Sequence, residues 1–218
     1  LISVLGYTLE DQKEQERGKN ESERIVRDAE LYKLRQQLQP HFLFNSLNSI
    51  SALVISQPSE ARRMIQQLSD YLRSTLKKEE HMWVMLSEEL EYLKLYLDIE
   101  KVRFGHRLTT DIRSEEPALA MKLPAMLLQP IVENAIKFGL YDTTDDITIG
   151  MDCAVKEQML VITVRNPFDA EISQPGKGTG FGLSSVQRRL SLLFARNDLL
   201  STSAEGNIFI TRVKIPQQ

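Results

Sequence analysis

Leu38–Ile50 reads LQPHFLFNSLNSI, and its period decides what kind of domain begins here. Stepped at about 100° per residue, it gathers His41, Asn45 and Asn48 on one helix face and sets Leu43, Leu47, Ile50 and, further on, Val54 on the opposite one. The stretch is therefore an amphipathic helix whose polar stripe carries one imidazole. Pro40 lacks a backbone donor and can kink a helix arriving from upstream. A lone histidine on the wet face of a core helix is commonplace, since a pKa of about 6.5 suits many surface roles. A special role for His41 needs support from the rest of the chain.

The chain has 218 residues, 42% of them hydrophobic and 26% charged, as in globular proteins with one or two modest cores. A net charge of −3 provides no basic footprint, so nucleic acid is not an expected partner. The single cysteine, Cys153, cannot form an internal disulfide, and no paired Cys/His spacing suggests zinc. A reducing, cytoplasmic setting fits. The first nine residues, LISVLGYTL, are mostly apolar but far short of the roughly twenty that cross a bilayer. They read either as the stub of a transmembrane helix or as a frayed terminus.

From Asp11 to Gln39 dense charge, pairs such as Glu23 and Arg27, and the absence of proline predict a long exposed helix. Leu31, Leu34 and Leu38 give it a short heptad-like seam. After the His41 helix, Gln57-Pro58-Ser59 predicts a break, with Ser59 as N-cap of a second helix striped by Met64, Ile65, Leu68, Leu72 and Leu76. Two such helices read as an antiparallel hairpin, which buries little apolar surface unless a second copy completes a four-helix bundle. Trp83 falls in a connector, where a packing role is expected. Ser87 is expected to cap a third helix running to Phe104, and composition changes near Leu86. Beyond it the pattern predicts a strand over Leu108–Ile112, a helix over Pro124–Phe138 and strands over Ile147–Ala154 and Met159–Arg165. A helix from Gly182 and a terminal hairpin turning at Gly206-Asn207 complete an α/β sandwich.

Two stretches have the chemistry of a nucleotide site. In PAMLLQPIVENAIKFG, Asn134 and Lys137 stand three apart and can project from one helix face towards phosphate and its metal. In GKGTGFGLSSVQRRL, Gly178, Gly180 and Gly182 lead into a helix whose free N–H groups favour an anion. Neither a P-loop nor a Rossmann fingerprint fits, since Gly176-Lys177 is followed by glycine and about a dozen residues separate the strand end near Arg165 from the glycines. The intervening loop, NPFDAEISQPGKGT, reads as a lid.

QPHFLFNSLN closely resembles the phospho-acceptor motif of LytS-type sensor histidine kinases, with His41 at the phosphorylated position. LSEELEYLKLYLDIEKVRFGHRL resembles the segment that follows in that family. PAMLLQPIVENAIKFG is similar to the N box of the histidine-kinase and gyrase ATPase superfamily, which implies that Asn134 binds Mg²⁺ and that Glu133 and Lys137 lie at the phosphates. The glycine-rich stretch resembles the G2 box, implying nucleotide contacts at Gly178, Thr179, Gly180, Gly182 and Leu183. Three departures stand out. Asn166 occupies the place of the adenine-binding aspartate of the G1 box, where its carbonyl can accept a hydrogen bond but brings no charge. Phe138 replaces a frequent histidine, and Phe42 follows His41 where other histidine kinases often carry an acid.

The resemblance spans roughly Leu31 to the C-terminus and implies an α+β chain: a helical-hairpin dimerisation domain, a four-helix bundle in the dimer, followed by an α/β-sandwich ATPase domain. Residues 1–30 would form a membrane-proximal stub and signalling helix, 31–85 the dimerisation and phospho-acceptor domain, and 86–218 the ATP-binding domain. It further implies autophosphorylation of His41 from Mg-ATP and transfer to an aspartate of a response regulator receiver domain. Asn45 would orient the nucleophile or a water for the reverse step. The setting is the cytoplasmic portion of a bacterial inner-membrane protein, tethered through an upstream transmembrane region and working as a homodimer. The alternative is a nucleotide-responsive dimeric scaffold whose kinase activity is weak or lost, motivated by Asn166.

Overall fold

The computed structural model describes residues 40–78, 83–140, 145–168 and 181–217. The charged helix expected over Asp11–Gln39, with Leu31, Leu34 and Leu38, lies outside them, as do His81 and the loop glycines Gly178 and Gly180 with Thr179. The chain divides into two units, Leu1–Asn48 and Ser49–Gln218.

Helix α1 spans Pro40–Ser56 and α2 spans Pro58–Lys78. Helical bonding continues to the edge of the break: the Gln57 N–H donates to Leu53 O at 2.8 Å, and Gln57 O accepts from the Ala61 N–H at 3.0 Å. Pro58 takes the first helical position, where a missing N–H sacrifices no intrahelical bond. Ser59 therefore lies inside the first turn instead of capping it. Ala61, Met64, Leu68, Tyr71 and Thr75 are buried along α2, whereas Ile65, expected in the apolar stripe, is half exposed. On α1 the buried residues are Phe42, Ser46 and Ile50, while Phe44, Leu47, Val54 and Ile55 face solvent. Leu47 and Val54 lie on the face opposite His41 as expected, but only Ile50 of that set is buried; the helix has two apolar faces, and periodicity alone does not choose which is covered.

Trp83–Met85 forms a short strand, β1, paired antiparallel with β3, Lys122–Pro124. Three residues are too few to give an alternating signal, so the connector hid it. Trp83 has the expected packing role, its ring edge-on to Phe194 at 5.7 Å. Helix α3, Leu86–Phe104, starts from Met85 as N-cap, with the Glu88 carboxylate accepting the Met85 N–H at 2.8 Å. Ser87 is thus within the first turn and does not cap the helix. A 3₁₀ turn leads to β2, Leu108–Ser114, and the short α4, Glu116–Leu119, precedes β3. Then follow α5, Gln129–Leu140; β4, Ile147–Lys156; β5, Met159–Pro167; α6, Phe181–Phe194; β6, Leu200–Glu205; and β7, Ile208–Pro216.

Five strands form one mixed sheet in the order β2-β4-β5-β7-β6. Only β2 and β4 run parallel, with Leu108 opposite Ile147; the other neighbours are antiparallel, and β6 and β7 turn at Gly206-Asn207 as expected. Ile147, Ile149, Met151 and Cys153 alternate inward from β4, and Leu160, Ile162 and Val164 from β5. Helix α5 packs across these two strands.

The sequence placed the start of this helix at Pro124, five residues early. Pro124 instead pairs with Trp83 in the small sheet, and the chain turns through Met126, whose φ of 59° is left-handed, before α5 begins. The apolar run PAMLLQPIV cannot by itself separate a strand end and turn from a helix start.

Candidate functional site

Helix α5 presents Ile131, Val132, Ala135, Ile136 and Leu140 to the core. Asn134 sits among them only 9% exposed, and among the described residues its amide has no hydrogen-bond partner. Lys137, one turn on, is exposed, with Nζ 5.5 Å from the Phe138 ring centre. Glu133 is half-buried and accepts a 2.7 Å hydrogen bond from Gln129 Nε2, which also donates to the Tyr71 hydroxyl at 2.8 Å.

Two glycines let other elements approach this helix closely. A Cβ on Gly182, at the start of α6, would come within 3.3 Å of the Pro130 carbonyl in the first turn of α5. A Cβ on Gly139 would stand 2.6 Å from the Ile147 Cδ1 methyl and 3.5 Å from Pro167 O at the end of β5. Asn166, beside that contact, is 2% exposed and donates from Nδ2 to Pro167 O at 2.9 Å, leaving Oδ1 as its acceptor. Leu183 is buried behind the α6 start. Glu133, Asn134, Lys137, Asn166, Gly182 and Leu183 therefore belong to three abutting elements. Gly178, Thr179 and Gly180 lie outside the described residues.

A Mg²⁺ ion bound chiefly by phosphate oxygens and water needs only one or two protein ligands. The unpartnered Asn134 Oδ1 fits that requirement, and Lys137 fits a phosphate. The uncharged Asn166 fits an adenine amino group as a neutral acceptor.

His41 is exposed on α1, and the Asn45 amide nitrogen lies 3.2 Å from both of its ring nitrogens. Being equidistant, that amide does not select one tautomer. Ser46 Oγ is tied back to Phe42 O at 2.8 Å and adds nothing to the imidazole.

Sequence reasoning missed the polar residues that support α5. Glu89, fully buried on α3, accepts the backbone N–H groups of Met126 and Leu128 at 3.0 and 3.1 Å. Glu100, 3% exposed on the same helix, is 3.4 Å from Arg103. Burial pushes the Glu100 carboxyl up to about 7; Arg103 opposes the rise and Glu133 adds to it. A signal existed: Glu89, Leu93, Leu97 and Glu100 fall on one helical stripe, where two acids interrupt an apolar face.

The family model described as histidine kinase matches residues 29–108. Sensor histidine kinase BtsS of Escherichia coli strain K12 is 33% identical over 192 residues, 88% of this chain and 34% of the relative. Sensor protein kinase HptS of Staphylococcus aureus strain USA300 is 35% identical over 185 residues, 85% and 33% respectively. The chain thus spans about a third of the length of the curated relatives it matches. Among solved structures, the catalytic domain of histidine kinase ThkA overlaps 62% of this chain and 94% of its own, at 15% identity and a TM-score of 0.47. With the His41 motif inside the matched family region and the similarity to sensor kinases extending over more than four-fifths of its length, the chain belongs to the LytS-type sensor histidine kinases.

Proposed function

We propose that this chain transfers the γ-phosphoryl group of Mg-ATP to a ring nitrogen of His41 and then to an aspartate of a response regulator. The observation that carries the reading is the buried Asn134 amide, unpartnered among the described residues on a helix abutted by the glycine at the start of α6. In the first step the bond from the γ-phosphorus to the bridging oxygen breaks, an N–P bond forms, ADP leaves and the imidazole proton passes to solvent. Mg²⁺, when bound, neutralises phosphate oxygens. Asn134 holds that charge in place, Lys137 meets phosphate, and Asn166 and Leu183 border the base. Asn45 orients the imidazole, or a water in the reverse reaction.

Incubation with γ-labelled ATP and Mg²⁺ is the test. Wild type should acquire an acid-labile, base-stable label, and His41→Gln should acquire none while still binding nucleotide, with His81 and His106 as internal controls. Label that survives His41→Gln would assign the acceptor elsewhere.

The working form is a homodimer in which α1 and α2 of two copies make a four-helix bundle. Exposed Phe44, Leu47, Val54, Ile55 and Ile65 supply an apolar face for it. Light scattering at tens of micromolar should give twice the chain mass; a folded monomer overturns the arrangement. The chain acts on the cytoplasmic side of a bacterial membrane, held there by an upstream segment; among its described residues no helix is long and apolar enough to cross one. A second reading, a nucleotide-responsive scaffold with little or no turnover, draws on the neutral Asn166. It gains if wild type binds ATP and is never labelled.

A further inference from the structure

Two side chains of opposite charge, from different helices, grip a single peptide unit at the entrance to α5. The Ala125 carbonyl accepts from Arg189 Nη1 of α6 at 2.7 Å. The other end of the same unit, the Met126 N–H, donates to Glu89 Oε2 of α3 at 3.0 Å, while Glu89 Oε1 takes the Leu128 N–H at 3.1 Å. Burial lowers the pKa of the Arg189 guanidinium and the field of Glu89 raises it, as expected of a cation held in a dry setting by an anion. Met126 has a φ of 59°, a left-handed geometry disfavoured by any residue with a Cβ, so outside contacts must hold the turn in shape.

What the turn controls is the start of α5. The Leu128 carbonyl accepts from the N–H groups of both Ile131 and Val132 at 3.1 Å, the opening bonds of that helix. The orientation of the Ala125–Met126 unit therefore sets where the helix carrying Asn134 begins. Helix α6 meets this region at two places: Gly182 against Pro130 at its start, and Arg189 against Ala125 seven residues later. Seven residues are about two turns, so both contacts come from one face of α6.

We infer that Glu89 and Arg189 are paired positioning residues: by holding the Ala125–Met126 peptide from both ends, they fix the spacing between Asn134 on α5 and Gly182 at the start of α6. The inference rests on the nucleotide-binding reading above and deepens it. Both residues are assigned a hold on the backbone before α5 and no contact with nucleotide. A triphosphate with its metal must engage both helices at once, whereas a nucleoside monophosphate need not, so the pair governs affinity for the former selectively.

The test compares binding of a Mg²⁺-loaded, non-hydrolysable ATP analogue with binding of AMP, measured by calorimetry on the full chain below its melting temperature. Arg189→Met, which keeps bulk and removes the donors, should weaken the analogue about tenfold and AMP less than about twofold. Arg189→Lys, which keeps charge and a donor, should recover most of that loss. Equal losses for both ligands, unchanged analogue affinity, or no recovery with lysine overturns the inference. If Arg189→Met gives no cooperative melt, Arg189→Gln, with a donor but no charge, replaces it and must show the same split at smaller size. Wild type that binds neither ligand sinks the nucleotide reading itself; wild type that binds both, with variants that show no split, sinks only the positioning pair.

Discussion

His41 and Asn134 hold their chemistry in opposite ways. His41 is exposed on α1, with one amide from the next turn beside it, and its importance is carried by a local string of residues. Asn134 is nearly buried, and its environment depends on α3, β5, α6 and the turn before α5. On the proposed function the contrast follows from two tasks. A phosphoryl carrier must be reached by a donor and then by an acceptor, so it stays in solvent with few constraints. A metal-holding amide works through fixed position, so other residues must hold its helix in place.

The strongest test of this contrast pairs two substitutions. Asn134→Ala should reduce phosphoryl transfer on the order of a hundredfold and weaken Mg-ATP, because the proposed ligand to the metal is lost. It should leave thermal stability unchanged or slightly raised, since the amide it deletes has no partner among the described residues. His41→Gln should abolish labelling with nucleotide affinity intact. If Asn134→Ala unfolds the domain, the amide is a structural group and the contrast fails; calorimetry and circular dichroism on the same samples decide it.

How much of this was legible in the sequence follows the same division. The His41 helix, the sheet strands from β4 onward and the turn at Gly206-Asn207 came from local period and turn chemistry, which are short-range properties. The β1–β3 pairing was not legible, because it joins two three-residue segments far apart in the chain. The late start of α5 was also hidden, since it depends on a carboxylate thirty-seven residues upstream. The same holds for Gln129, whose two acceptors lie on α2 and α5. Asn134 could be named from the motif, but its exposure and lack of a partner could not, being properties of packing.

A smaller effect is expected at Glu100, which shares α3 with Glu89 and differs from it in supply of donors. Glu89 accepts two backbone N–H groups, while Glu100 has Arg103 at 3.4 Å and Glu133 nearby. Its folded pKa of about 7 lies above the ordinary 4.5, so between those values the native state binds more protons than the unfolded chain. Stability from this group therefore rises as pH falls from about 7 towards 4.5, and ionisation removes it at higher pH. Relative to Glu100→Gln, wild type should gain on the order of 2–3 kcal/mol across that interval. Urea melts of both proteins at several pH values measure the difference directly. Parallel curves would show that Glu100 is not a buried titrating group.

The smallest expected effect is at Tyr71, and it separates α2 as a packed element from α2 as a contributor to the nucleotide site. The Tyr71 ring stacks on Tyr92 with centroids 5.4 Å apart and planes 20° apart, and its hydroxyl accepts from Gln129 Nε2 at 2.8 Å. Phenylalanine keeps the stack and deletes the oxygen, which also bonds to the Tyr92 and Thr75 side chains, while Gln129 loses one of its two acceptors and retains Glu133. The loss should be about 1 kcal/mol, or a melting temperature lower by about 2–4 °C for a chain of this size. Mg-ATP affinity should change less than about twofold, because the Glu133 contact holds the amide in place. A tenfold change in affinity at that modest cost in stability would mean that the hydroxyl acts on the nucleotide helix through Gln129, and that α2 is energetically part of the ATP site.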